Sequence, residues 1–165
     1  MGSLHPRAIV QFLTLLTVAN AAPVLTAKFL GTLFSLPIDR GAQFLDGRPV
    51  FGPSKTVRGI VVAVLATTLT SRLIGLDWDL GILVGAVAMA GDLLSSFVKR
   101  RLGRPPSSRM TGVDQVPESL LPLLACRQLL SFTPADIAVV AVTFFAGDVL
   151  LSRLLYVLRI RDRPY

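Results

Sequence analysis

Apolar residues in this chain are gathered into blocks close to the roughly twenty residues that a helix needs to cross hydrocarbon. The blocks cover about residues 8–36, 57–76, 80–99, 116–132 and 134–159. Backbone in lipid must satisfy its own hydrogen bonds, so blocks of this length read as helices rather than isolated strands. Of the 165 residues, 52% are hydrophobic and the mean hydropathy is +0.64, too apolar for an ordinary soluble domain. The expected fold is an all-α integral membrane protein, one domain over 1–165, with five transmembrane helices and polar loops at about 37–56 and 100–115.

Charge sets the expected orientation. The first long loop carries Lys28, Arg40, Arg48, Lys55 and Arg58; the third carries Lys99, Arg100, Arg101, Arg104 and Arg109; the tail carries Arg153, Arg159, Arg161 and Arg163. The other side has Arg7, Arg72 and the lone His5. The positive-inside rule puts the N-terminus outside and the C-terminus in the cytoplasm, with both motif-bearing loops on the cytoplasmic face of the cell membrane. The formal net charge of +7 is not accompanied by a zinc pattern, a recognition helix or an aromatic-interleaved basic patch, so nucleic acid is not the expected partner. Cys126 is the single cysteine, which excludes an intrachain disulfide and a cysteine-rich metal site. The first block has no positive segment followed by a small-residue cleavage site, and it reads as retained.

The third block ends in charges that a lipid-facing helix does not carry. Asp92, Ser95, Ser96 and Lys99 recur at i, i+3, i+4 and i+7, so a carboxylate, two hydroxyls and an ammonium share one stripe. A carboxylate within hydrocarbon costs about 2.5–3.5 kcal/mol on insertion scales, so Asp92 must face inward or lie near the surface. A structural ion pair is the plain reading; a functional role is the one that uses the whole stripe. Arg100, Arg101, Arg104 and Arg109 follow, and the loop closes on Asp114 and Gln115 at the start of the fourth helix, where Pro117 suits a first turn. Glu118 reads as a first-turn acid, and Arg127 as a snorkelling or paired side chain. Thr133, Pro134 and Asp136 read as the cap of the fifth helix. Asp148 reads as structural, bonded to Ser152 or paired with Arg153.

In the first loop Gly47, Gly52, Lys55 and Thr56 resemble a phosphate loop, but the spacing is not the Walker pattern and no strand precedes it. Thr56 can still cap the second helix, and its positive N-terminus with Lys55 and Arg58 suits an anion. Alternatively, Lys55 and Arg58 only mark a cytoplasmic helix end. Asp39 and Asp46 read as turn residues beside Gly41 and Gly47. Asn20 lies three residues before Pro23, which is expected to open the first helix there, so the Asn20 amide either bonds a neighbouring helix or contacts a ligand.

Four segments together resemble the CDP-archaeol synthases: ANAAPVL at 19–25, DGRPVFGPSKTVRG at 46–59, GDLLSSFVKRR at 91–101, and the pair Asp114 and Gln115. The resemblance covers nearly the whole chain, to the RDRPY ending. It extends to the phosphatidate cytidylyltransferases only around the S-x-x-K-R run and the following aspartate. It implies cytidylyl transfer from CTP to a prenylated glycerol phosphate lipid in the bilayer, with release of pyrophosphate. Asp92 and Asp114 would hold Mg2+, since magnesium favours one or two carboxylates plus substrate phosphates. Lys99 and Arg100 would hold the triphosphate. Asn20, Asp46, Gly47, Arg48, Lys55, Thr56, Arg58, Ser95, Ser96 and Gln115 would line the binding site. A diacyl lipid as substrate is the near alternative, and a non-enzymatic anion channel or transporter the distant one. A CDP-alcohol phosphotransferase is excluded, because D-G-R-P-V-F lacks the D-G-x-x-A-R signature.

Overall fold

A computed structural model describes residues 4–108, 110 and 112–157, with side chains 151–156 excepted. Arg109, the tail arginines and the RDRPY ending lie outside the described residues, as does the Arg153 side chain. Five helices follow in order: α1 (Pro6–Leu30), α2 (Val57–Leu73), α3 (Trp78–Arg101), α4 (Gln115–Cys126) and α5 (Pro134–Val157). Among the described residues there is no strand, only isolated antiparallel bridges at Pro37 with Thr56 and Gln43 with Pro49. Both pin the 31–56 loop back on itself.

Two helices, α1 and α3, are long and apolar enough by themselves to cross a membrane. The surface of α2 tells the same story by inversion. Its buried positions are Ala63, Thr67 and Ser71, whereas Val57, Val61, Leu65, Leu69 and Leu73 are exposed. Large apolar residues outside and small or hydroxyl residues inside suit lipid, where close backbone packing replaces the hydrophobic effect as the force between helices. Gly81 and Gly85 on α3 permit that packing. A Cβ on Gly81 would lie 2.7 Å from the Thr68 Cα, and one on Gly85 3.0 Å from the Val64 Cα. Thr67 and Ser71 bond their own helix, through the carbonyls of Ala63, Val64 and Thr68, so no hydroxyl is left unpaired in the seam.

Helix lengths differ from the apolar runs at two places. The first helix stops at Leu30 rather than near residue 36, because Gly31 turns to φ 51° and Arg58 takes the Gly31 and Leu33 carbonyls. The fourth stops at Cys126 rather than near residue 132. There the chain tightens, the Phe132 amide returns to the Arg127 carbonyl at 2.9 Å, Ser131 adopts φ 52°, and Pro134 follows. Hydropathy does not register such turns, since Leu129, Leu130 and Phe132 continue the apolar run through them. α1 remains helical through Pro23, contrary to the expected opening.

α3 packs on α2 and α4, α1 on α2, and α5 closes the bundle against α4 and α1. The core is Phe12, Leu15, Leu16 and Ala19 of α1 against Val84, Ala88, Leu123, Cys126 and Val140, with Phe12 edge-on to Phe132 at 5.4 Å. Asp136, fully buried, ties chain start to chain end. It accepts from the His5 amide at 2.9 Å, contacts His5 Nδ1 at 2.8 Å, and exchanges capping bonds with Thr133. At the same end Gln11 donates to the Ile74 carbonyl and Arg72 lies over Trp78. The loops 31–56 and 102–114 meet at the opposite end.

Candidate active site

The α3 stripe faces inward. Ser95, Ser96, Lys99 and Arg100 are buried, and Asp92 is one-fifth exposed, its side chain at 21%. Its placement depends on the glycine before it. A Cβ on Gly91 would lie 2.7 Å from the Pro117 carbonyl carbon and 2.9 Å from the Glu118 nitrogen, so only glycine lets α3 touch the α4 backbone here. That contact brings the Glu118 carboxyl into hydrogen-bonding contact with Asp92.

Two ion pairs form around this point. Lys55 Nζ sits 2.6 Å from each Asp92 oxygen. Lys99 Nζ lies 2.5 Å from Asp114 Oδ1 and donates to the Ser108 carbonyl at 3.0 Å. Asp114 Oδ2 accepts from the Met110 amide at 2.8 Å, while Oδ1, though in ion-pair contact, has no aligned hydrogen-bond donor. Asp92 and Lys99 lie two turns apart on one face of α3, so the pairs belong to one constellation. Arg100 adds a cation of a different kind. It is 3% exposed, and its Nε and Nη1 have no hydrogen-bond partner among the described residues. An unmade bond on a buried donor costs about 1–3 kcal/mol. Donors held open beside Lys99, under a loop where Pro106 crosses Gly52, are arranged for an oxyanion.

The 31–56 loop is fastened to α3 by side chains that bond protein groups. Arg101 stacks on Phe44 and Phe97 at 4.8 and 5.0 Å, pairs with Asp46, and donates to the Arg48 and Pro49 carbonyls. Arg48 in turn donates to the Arg101 carbonyl at 2.7 Å, capping the end of α3. Gly47, at φ 72°, makes the turn between them. Thr56 caps α2 through the Gly59 amide at 3.1 Å, as its position suggests. Arg58 is occupied by the Gly31 and Leu33 carbonyls just past α1, and the Asn20 amide donates to the Leu16 carbonyl in its own helix at 3.0 Å. Of the residues read from sequence, the structure therefore brings Lys55, Asp92, Ser95, Ser96, Lys99, Arg100, Asp114 and Gln115 together, and uses Asp46, Arg48, Thr56 and Arg58 in fastening and capping.

Asp39 does more than close a turn. Its Oδ1 accepts from Gly41, and its Oδ2 accepts from the amides of Phe51 and Gly52 at 2.9 and 2.7 Å. Partial burial acts to raise its pKa, but the amides of Gly52, Phe51 and Gly41 outweigh it and hold the carboxyl below the usual range. A depressed carboxyl stabilises the fold above its unfolded value, about 3.9, and loses that contribution as pH falls through the lower folded value. The turn presenting Lys55 is accordingly expected to loosen only in that acidic window. Asp39→Asn should loosen it at neutral pH, speeding protease cleavage within residues 31–56 severalfold with little change in thermal midpoint; unchanged cleavage would show that the turn holds without it.

Among the described residues no three His, Cys, Asp or Glu side chains are set to hold a metal by themselves. The donors do fit a hard divalent cation that also uses substrate oxygens. The Lys55 ammonium already stands in as a cation between both Asp92 oxygens, and Asp114 Oδ1 keeps lone pairs uncommitted.

A helical body with lipid-type packing and a buried constellation of carboxylates and open cationic donors at one end suits a membrane enzyme that handles phosphates. Comparison with known proteins specifies it. The family model described as CarS-like, CDP-archaeol synthase, matches residues 9–165. A CDP-archaeol synthase of Hyperthermus butylicus is 38% identical over 147 residues, covering 79% of this chain and 83% of that protein. One from Sulfurisphaera tokodaii is 30% identical over 164 residues, covering 96% and 95%. A solved structure, titled as an intramembrane enzyme for archaeal membrane lipids biosynthesis, superposes with a TM-score of 0.73 at 25% identity over 86% of this chain and 90% of that one. The chain belongs to the CDP-archaeol synthase family; it is a membrane enzyme, a CTP-dependent cytidylyltransferase of lipid synthesis.

Proposed function

We propose that the enzyme transfers the cytidylyl group of CTP to a prenylated ether glycerol phosphate in the bilayer, giving CDP-archaeol and pyrophosphate, at a site on the cytoplasmic face of a five-span protein. The observation that carries this reading is Arg100, buried with two open donors beside the Lys55–Asp92 and Lys99–Asp114 pairs. The lipid phosphate has a second pKa near 6 and is already anionic at neutral pH, so no protein base is required. Its oxygen bonds to the α-phosphorus as the bond from that phosphorus to the β-phosphate bridging oxygen breaks, and pyrophosphate leaves with the electron pair. Catalysis is then alignment and neutralisation of charge.

Arg100 and Lys99 bind the β- and γ-phosphates and stabilise the leaving group. Lys55, released from Asp92, binds the α-phosphate or the incoming lipid phosphate. Asp92 and Asp114 would hold Mg2+, which supplies charge neutralisation across the phosphates when bound. Gln115, Ser95 and Ser96 support these groups from behind. The site lies at the bundle end where the two basic loops meet, and the positive-inside rule assigns that end to the cytoplasm, where CTP is available.

The test is pyrophosphate release by the purified protein in detergent, with CTP compared against the other nucleoside triphosphates and an isoprenoid ether phosphate against a diacyl one. Release requiring both CTP and the ether lipid is expected. Preference for the diacyl lipid would keep the chemistry and discard the substrate, and no release with any pair would overturn the reading.

A further inference from the structure

We propose that Asp148, in the middle of α5, is a positioning residue for this reaction: through Gln115 it fixes which way round the buried amide sits that anchors the 102–114 loop, and thereby where Asp114 is held. The inference rests on the cytidylyl-transfer reading and adds to it a residue of α5.

Asp114 is delivered by a segment without regular structure, so its position depends on a few bonds. Lys99 holds the Ser108 carbonyl, the Arg104 amide returns to the Lys99 carbonyl at 2.9 Å, and Met110 and Asp114 bond one another. The last hinge before α4 is Gly112, at φ 91°, whose amide donates to Gln115 Oε1 at 2.8 Å. Gln115 is 1% exposed. Its other end, Nε2, donates to Asp148 Oδ2, also at 2.8 Å.

An amide has a donor end and an acceptor end of nearly equal shape, and sterics alone do not choose between them. Asp148 chooses. A carboxylate oxygen there accepts, so Nε2 must face α5 and Oε1 must face the Gly112 N–H. With the amide reversed, two donors would meet at Gly112 and two acceptors at Asp148. An acidic side chain in an apolar helix is costly, and this one is placed where its acceptor character sets the geometry of a loop carrying an essential carboxylate.

The experiment exchanges donor and acceptor across the contact. Gln115→Glu keeps the acceptor for Gly112 but sets a carboxylate against Asp148; adding Asp148→Asn supplies an amide donor and restores the pattern with its ends exchanged. Asp148→Leu removes the acceptor. In detergent-purified protein that elutes as a single species, Asp148→Leu and Gln115→Glu are each expected to lower kcat by on the order of tenfold to a hundredfold, with the KM for lipid little changed. The double variant should recover to near the parent. Trypsin cleavage of the Arg109–Met110 bond is followed in parallel, faster in the single variants and restored in the double. This second readout needs no turnover, so an inactive parent would overturn the cytidylyl-transfer reading while the loop contact was still decided. An Asp148→Leu protein with parental kcat and parental cleavage, or a double variant as impaired as Gln115→Glu alone, would overturn the proposal.

Discussion

Asp92→Asn is expected to leave a protein that inserts, folds and elutes like the parent but turns over at least about a hundredfold to a thousandfold more slowly, the range seen when a preorganised electrostatic group is lost. The fold survives because the substitution is isosteric and the amide oxygen can still accept from Lys55. The Gly91 contact with α4 does not involve the changed atoms. The function fails because a neutral amide neither balances Lys55 nor offers a hard anionic donor to a divalent cation. Asp77→Asn is the control. Asp77 precedes α3 at the opposite end and makes no side-chain capping bond, so its loss should be nearly silent. Initial rates of pyrophosphate release at saturating CTP decide the matter, and equal rates in the two variants would remove Asp92 from the mechanism.

Arg100 offers a prediction with two signs. Arg100→Met is expected to raise the KM for CTP by roughly tenfold to a hundredfold, the equivalent of one or two charge-assisted hydrogen bonds, and to unfold at the same or a higher temperature. The guanidinium is buried with two N–H groups unpaired, and replacing a poorly satisfied buried charge by an apolar side chain of similar length is commonly neutral or stabilising. Arg100→Lys should recover part of the affinity, since charge is kept while the planar fork is lost. A structural arginine would behave oppositely, its methionine variant melting earlier with CTP affinity intact. Thermal unfolding and a CTP titration on the same preparation separate the two cases.

Much of this arrangement was legible in the amino-acid order because it depends on local periodicity. The i, i+3, i+4, i+7 recurrence from Asp92 to Lys99 identified the inward stripe, and Thr56 announced its own cap. What was not legible depends on distance in sequence. Nothing around Asp39 shows that residues 51 and 52 will return to it, so it reads as a turn residue, and only the folded loop reveals three amides on one carboxyl. Glu118 likewise reads as a first-turn acid until Gly91 lets α4 approach α3. Asp148 reaches Gln115, 33 positions away, a contact that its neighbours in sequence do not announce; the Ser152 and Arg153 side chains lie outside the described residues. Arg48 and Arg58 carry the charge expected of phosphate ligands, yet each caps a helix end, and charge alone does not distinguish a carbonyl from a phosphate oxygen.

The two lysine–aspartate pairs have a consequence for the order of events. Each lysine is neutralised by a carboxylate, so a bare phosphate ester entering the site must take a lysine away and strand an aspartate, and a bare cation must take an aspartate and strand a lysine. Arriving together, they exchange partners with nothing stranded. Under the proposed assignment of Asp92 and Asp114 to the metal, metal and nucleotide are expected to bind with positive linkage, each raising the affinity for the other by the same factor, and an anion arriving without a cation reaches only the open donors of Arg100.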